Sequence, residues 1–237
     1  MSGPAASARA LVSAAADLLW PPRCGGCDLP GTMLCERCRA ALALIESATA
    51  CPLCGAPDGL DGCAECGRSS FAFEAARCAG VFEPPLSRLV ILHKDAGELR
   101  LTAVLAALAV EAAGEWVAWA DAVVAVPASP AAVRRRGFDH GALLAGALSA
   151  ATGLPALDAL EARRRSDQRR LGADERRTNA RASLVAIDGV FVPARVLLLD
   201  DVLTTGATLD AASAALLDAG AVEVRALAVA RTCGGRL

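Results

Sequence analysis

The sequence predicts an α/β protein in which an open, mainly parallel sheet carries helices on both faces behind a small cysteine-rich module. Three observations predict it. From about residue 71, short apolar runs alternate with alanine-rich segments of helical length, the pattern of strands buried on both faces by their own crossover helices. Hydrophobic residues make up 54% of the 237, enough for a packed core. Residues 21–70, by contrast, are rich in Cys, Gly, Pro and Asp and poor in large aliphatics, so apolar burial alone does not hold them. The expected division is therefore 1–70 and 71–237.

Residues 8–20 are apolar, but Asp17 interrupts the run and no small-residue cleavage site precedes the first cysteines. A short amphipathic helix is preferred there over a secretory signal. AVVAVP at 122–127 reads as a buried strand, followed by a loop. Asp139 then caps a helix, HGALLAGALSAAT, stopped by Gly153. Residues 154–162 fit a strand or a short helix equally well. The arginine-rich stretch 163–183 has no clean period and reads as a mobile loop. ARVLLLDD (194–201) is the clearest strand. Thr208 is expected to cap the helix LDAASAALLDA, closed by Gly220, and VEVRALAVA supplies the last strand.

The formal net charge is -2, so no basic excess argues for nucleic acid by itself. The apolar stretch 101–110 ends at Glu111 and is too short to span a bilayer. No membrane span is expected.

Eight of the ten cysteines form four C-x-x-C pairs: Cys24/Cys27, Cys35/Cys38, Cys51/Cys54 and Cys63/Cys66. Two intervening residues let one turn point both thiolates at a single ion. Any two pairs close a tetrahedral four-thiolate site, which points to one or two structural Zn²⁺ in a zinc-ribbon-like module. Sequential and interleaved pairings are both open. Cys78 and Cys233 read as packing residues. Reduced thiols suit the cytoplasm. Eight thiolates and two Zn²⁺ would add about -4 and bring the formal charge to about -6, which weakens unaided attraction to DNA.

The most informative segment is VLLLDDVLTTGATLDAA, 196–212. Its apolar run delivers Asp200 and Asp201 to the carboxyl end of a strand, where open α/β sheets bind ligands. Thr204, Thr205, Gly206, Ala207 and Thr208 then open a helix, whose first N–H groups and dipole suit a phosphate. Carboxylates accept hydrogen bonds from neighbouring hydroxyls. An acidic pair beside a phosphate turn matches a ribose 5-phosphate, diol at one end and phosphate at the other. A Walker B strand needs a partner G-x-x-x-x-G-K-[ST], and the only lysine, Lys94, follows His93. A receiver domain needs its acidic pair far earlier. A buried strand with a solvated acidic end is the bland alternative.

This segment resembles the PRPP-binding signature of type I phosphoribosyltransferases, and together with the cysteine pairs the chain is similar to the ComF family over roughly 20–233. Further marks are Leu92-His93-Lys94, VAVPAS at 124–129, Arg136-Gly137-Phe138, Gln168, Glu175-Arg176 and Asn179, and the closing LAVART. The resemblance implies a type I phosphoribosyltransferase-like sheet and binding of PRPP with Mg²⁺. It assigns the 5-phosphate to the 204–208 turn, the ribose hydroxyls to Asp200 and Asp201, and a substrate contact to Val202. It gives 126–138 to pyrophosphate and 163–183 to a covering loop. Arg134, Arg135 and Arg136 are read as preceding a helix N-terminus, where the dipole disfavours cations and leaves them for pyrophosphate; Arg136 beside Gly137 is preferred. A solvated basic turn is the rival. Catalytic roles fall to Asp200, Asp201, Lys94 and Arg136, and substrate contacts to Gly137, Gln168, Arg176 and Asn179.

The chain departs from the family where Asp139 and His140 replace the usual Asn-Gln, and where Asp95 replaces an aromatic after the lysine. His140 is open to two readings, general base or, the preferred one, a surface or capping-turn residue. Three functions are compatible with these residues: phosphoribosyl transfer to an unknown acceptor, PRPP binding without turnover, or an adaptor in DNA uptake that meets single-stranded DNA or a partner protein. No residue declares the acceptor.

Overall fold

The structure, a computed structural model, describes residues 21–59, 62–67, 70–162 and 184–234. Five strands, β1 (Ala75–Val81), β2 (Ala122–Ala125), β3 (Ala156–Leu157), β6 (Arg195–Leu203) and β7 (Glu223–Arg231), form one parallel sheet in the order β1-β7-β6-β2-β3. β4 (Leu160–Ala162) and β5 (Leu184–Ala186) make a separate antiparallel pair. The predicted class, an open parallel sheet with helices on both faces behind a cysteine module, is the observed one.

Strand alternation divides the core into two halves. On one face Val123, Leu197, Leu199, Leu227 and Val229 pack with α2 (Leu86–Lys94), α3 (Thr102–Ala113) and α6 (His140–Thr152). On the other, Val124, Val196, Leu198, Ala226 and Ala228 pack with α7 (Ala207–Asp218). Full burial of these strands explains why they read as continuous apolar runs.

The cysteine segment is stitched to the sheet edge. Ile45 N–H donates to Ala79 O, Val81 N–H to Ala43 O and Ala76 N–H to Pro52 O, so β1 is flanked by β7 and by this segment. Within it, the one helix among the described residues is the short α1 (Glu36–Ala40).

Two expectations for local structure are corrected. Residues after β2 form a helix, α5 (Pro130–Arg136), with Ser129 as cap and Gly137 closing it; α4 (Trp116–Trp119) lies ahead of β2. The three arginines therefore occupy the last turn of α5, where the dipole favours cations, and the argument that left them wanting an anion fails. The helix after β6 begins at Ala207 with Gly206 at the cap position, so Thr208 sits inside its first turn. The open question at 154–162 resolves to two short strands, β3 and β4. Asp139 caps α6 as expected, accepting from Gly141 N–H and Ala142 N–H at 2.9 and 3.1 Å.

Candidate functional site

The carboxyl ends of the parallel strands form one rim, and β6 overruns β2 there. β2 pairs only as far as Leu199, while β6 continues beside β7 through Leu203. Asp200 and Asp201 fall in this overhang, and the two-residue pleat sends them to opposite faces.

Asp201 continues the Leu197–Leu199 face and is buried at 4% exposure. Its Oδ2 lies 2.6 Å from Lys94 Nζ, at the end of α2, and 3.3 Å from His140 Nε2, at the start of α6. Burial alone would raise its pKa, but the His140 hydrogen bond and the Lys94 charge win and hold it far below the usual carboxylate range. Asp200 shows the reverse. Burial, and then the Asp201 charge, push its pKa well up, although its Oδ1 accepts from Asp201 N–H at 2.8 Å. The two adjacent carboxyls are thus shifted in opposite directions, Asp201 down and Asp200 up.

His140 stands in the capping turn of α6, directly after Asp139, as one half of the preferred reading has it, but it is not on the surface. It is 6% exposed, with Nδ1 3.5 Å from Arg136 Nη1. Arginine can only donate, so Nδ1 accepts and the ring proton belongs on Nε2, aimed at Asp201. Both nitrogens are engaged, which leaves the ring no free lone pair for a general base. Arg136, 11% exposed, also reaches Asp95 Oδ1 at 2.9 Å. Asp95 and His140, two of the three residues noted above as departures from the ComF pattern, thus both bind Arg136. His93 is buried beneath Lys94, its Nε2 2.9 Å from Thr102 Oγ1; burial, then the neighbouring His140, lowers its pKa.

Beside this cluster, Thr204, Thr205, Ala207 and Thr208 are exposed and Val202 is half-buried. Gly206 adopts φ +81°, and a Cβ there would meet the Phe71 ring at 2.9 Å, so backbone conformation and space both demand glycine. The turn presents the first N–H groups of α7, which have no partner within the helix. Gly137 ends α5 in the left-handed conformation. The structure thus brings Asp200, Asp201, Lys94, Arg136, Gly137 and the 204–208 turn to one rim. Gln168, Arg176, Asn179 and the expected covering loop lie outside the described residues.

The eight cysteines gather as two tetrads, Cys24/Cys27/Cys35/Cys38 and Cys51/Cys54/Cys63/Cys66, with sulfurs within 4.8 Å of one another. The pairing is sequential, not interleaved. Each C-x-x-C closes a turn in which the residue after the second cysteine donates to the carbonyl of the first, as in Asp28 N–H to Cys24 O at 2.7 Å and Gly55 N–H to Cys51 O at 2.9 Å. Sulfur separations of 3.7 Å (Cys27–Cys35), 3.8 Å (Cys51–Cys66) and 3.5 Å (Cys54–Cys63) fit the edges of a tetrahedron with metal–sulfur bonds of about 2.3 Å. Burial acts to raise every one of the shifted thiols, yet backbone N–H groups bring Cys24 down to about 6 and Cys63 to about 7. Burial and neighbouring thiols lift Cys38 to about 12 and Cys66 higher still. Four adjacent thiolates need a cation, and the donor set suits a tetrahedral metal ion. Neither Cys78, buried with its thiol raised to about 12 by that burial, nor Cys233 belongs to a tetrad.

No family model matches the chain. Over 209 residues it is 29% identical to competence protein F of Haemophilus influenzae, covering 84% of this chain and 90% of that protein. Over 108 residues it is 33% identical to competence protein ComFC of Streptococcus pneumoniae, covering 46% of this chain and about half of its relative, 47%. Among solved structures, orotate phosphoribosyltransferase from Aeropyrum pernix aligns at 18% identity and TM-score 0.38, over 63% of this chain and 78% of that one. The chain is therefore similar to the ComF competence proteins, in one case along most of its length.

Proposed function

We propose that the chain is a phosphoribosyltransferase-like protein that binds PRPP with Mg²⁺ and passes the phosphoribosyl group to an acceptor, in the service of DNA uptake. The observation that carries this reading is the buried Asp201, held by Lys94 and His140 at the sheet rim next to an exposed helix N-terminus opened by Gly206. The 204–208 turn receives the 5-phosphate on backbone N–H groups and threonine hydroxyls. Asp200 and Asp201 meet the ribose hydroxyls, whose O–H groups donate to carboxyl oxygens.

Displacement of pyrophosphate from the anomeric carbon develops positive charge on the ring, which the Asp201 carboxylate stabilises from a fixed position. Lys94 and Arg136 are the cations for the departing pyrophosphate. Arg136 is oriented by Asp95 and His140. Mg²⁺, carried largely by the oxygens of PRPP, would supply further charge neutralisation. Gln168, Arg176 and Asn179 are assigned to the same substrate. The two tetrads are assigned two structural Zn²⁺, which hold a segment without a sizeable apolar core of its own, in the reducing cytoplasm. The acceptor is a separate question, and direct contact with single-stranded DNA or an uptake partner is the route by which such a protein would join competence.

Calorimetric titration of PRPP with Mg²⁺ into zinc-loaded protein tests the binding step, with the Asp200→Asn/Asp201→Asn double variant beside it. Saturable binding lost in the variant supports the reading. Pyrophosphate release on adding candidate acceptors then separates turnover from binding alone.

A further inference from the structure

Arg231, at the end of β7, plays no part in the chemistry above, yet it is one of the most completely buried charged residues described, at 3% exposure. Its Nε donates to Cys54 O at 3.1 Å, and Nη1 donates to Leu203 O at 3.3 Å, to Thr204 O at 2.6 Å and to Thr232 O. Nη2 lies 3.9 Å from Cys54 Sγ. Among the described residues no carboxylate forms an ion pair with it. A buried guanidinium needs an anion, and a divalent ion in four thiolates carries two negative charges. The nearest candidate anion is thus the tetrad Cys51/Cys54/Cys63/Cys66.

Two more links join the same partners. Phe71 packs on the hydrophobic side of this tetrad, stacks on Phe73 and fills the space beside Gly206. Ala72 N–H donates to Asp210 Oδ1, in the first turn of α7, at 2.7 Å. The other tetrad leans elsewhere, with Gly25 and Gly26 against Leu89, Leu101 and Pro85 on and around α2.

We propose that Arg231 is a positioning residue that couples the Cys51/Cys54/Cys63/Cys66 metal centre to the 204–208 turn, so that metal in this tetrad tightens phosphate binding by the turn. The inference rests on the reading that this turn binds the PRPP phosphate. Coupling between two ligands is reciprocal, so bound PRPP must also hold the metal in place.

The test uses the full chain with both tetrads loaded, and the variants Arg231→Lys and Arg231→Gln. Three quantities are read: amide exchange at 204–210, the Kd of PRPP with Mg²⁺, and the rate at which a chelator removes metal with and without PRPP. Lysine keeps the charge near Cys54 but loses the fork that spans Cys54, Leu203 and Thr204, so it remains informative where glutamine prevents folding. Expected for Arg231→Lys are normal metal content, faster exchange at 204–210 and about tenfold weaker PRPP binding. In the wild type PRPP slows metal loss from one of the two tetrads, and the variant abolishes that protection. A residue with a merely structural role lowers the melting temperature but leaves the protection intact. Unchanged exchange and unchanged Kd in Arg231→Lys overturn the coupling while the PRPP reading stands. Absence of PRPP binding in the wild type overturns both.

Discussion

Asp200 and Asp201 adjoin in sequence but meet opposite surroundings, and their replacement by asparagine separates them. Asp201→Asn leaves Lys94 and His140 without their shared anion and is expected to cost about 2–3 kcal/mol in denaturant unfolding. Asp200→Asn removes a carboxyl that resists ionisation and is expected to be neutral or stabilising at pH 7. The pH dependence has opposite signs. A carboxylate whose folded pKa is depressed, such as Asp201, contributes stability above about pH 4 that is lost only in stronger acid. One whose folded pKa is raised, such as Asp200, loses stability as pH climbs from about 4 until it ionises in the folded state as well. Wild type and the two single variants, followed by unfolding from pH 3 to 8, should display this divergence; parallel curves contradict it.

For the elements, the clearest expectation concerns the turn into α7. Gly206→Ala places a Cβ at φ +81° and against Phe71, so it should destabilise by about 1–3 kcal/mol and weaken PRPP binding more than a control substitution at exposed Val222. Equal effects on PRPP binding at the two positions would remove the turn from the site. Much of this region was legible in sequence, because a buried strand ending in acids and a Thr-Gly turn are local signals. α5 carries local signals too, Ser129 at the cap and Pro130 at the first helical position. β1 was harder: its Ala, Gly and Cys residues have little strand preference, and pairing with β7 holds it in the sheet. The burial of His140 depends on contacts with Asp201 and Arg136, and no periodicity within one helix reveals such partners.

Across the whole molecule, hydrogen bonds join the cysteine module to the sheet at β1 and at Arg231. Loaded protein should hold about two ions per chain in tetrahedral four-thiolate sites. Because protons compete for the sulfurs, metal affinity should fall as pH drops through the range of the ligating thiols, which metal content after dialysis at stepped pH measures. Chelation at neutral pH should loosen residues 21–67 and, through Arg231, the phosphate turn, as amide exchange would register. The pairing within the tetrads was not legible in sequence, since four equal spacings permit either arrangement, and only the path of the chain between them decides.

The most direct measurement is calorimetric titration of PRPP with Mg²⁺ into the metal-loaded wild type and into Asp200→Asn/Asp201→Asn. Saturable one-to-one binding by the wild type, lost in the double variant, is the expected result. A folded, metal-replete wild type that takes up no PRPP would contradict the assignment of this rim as a phosphoribosyl site.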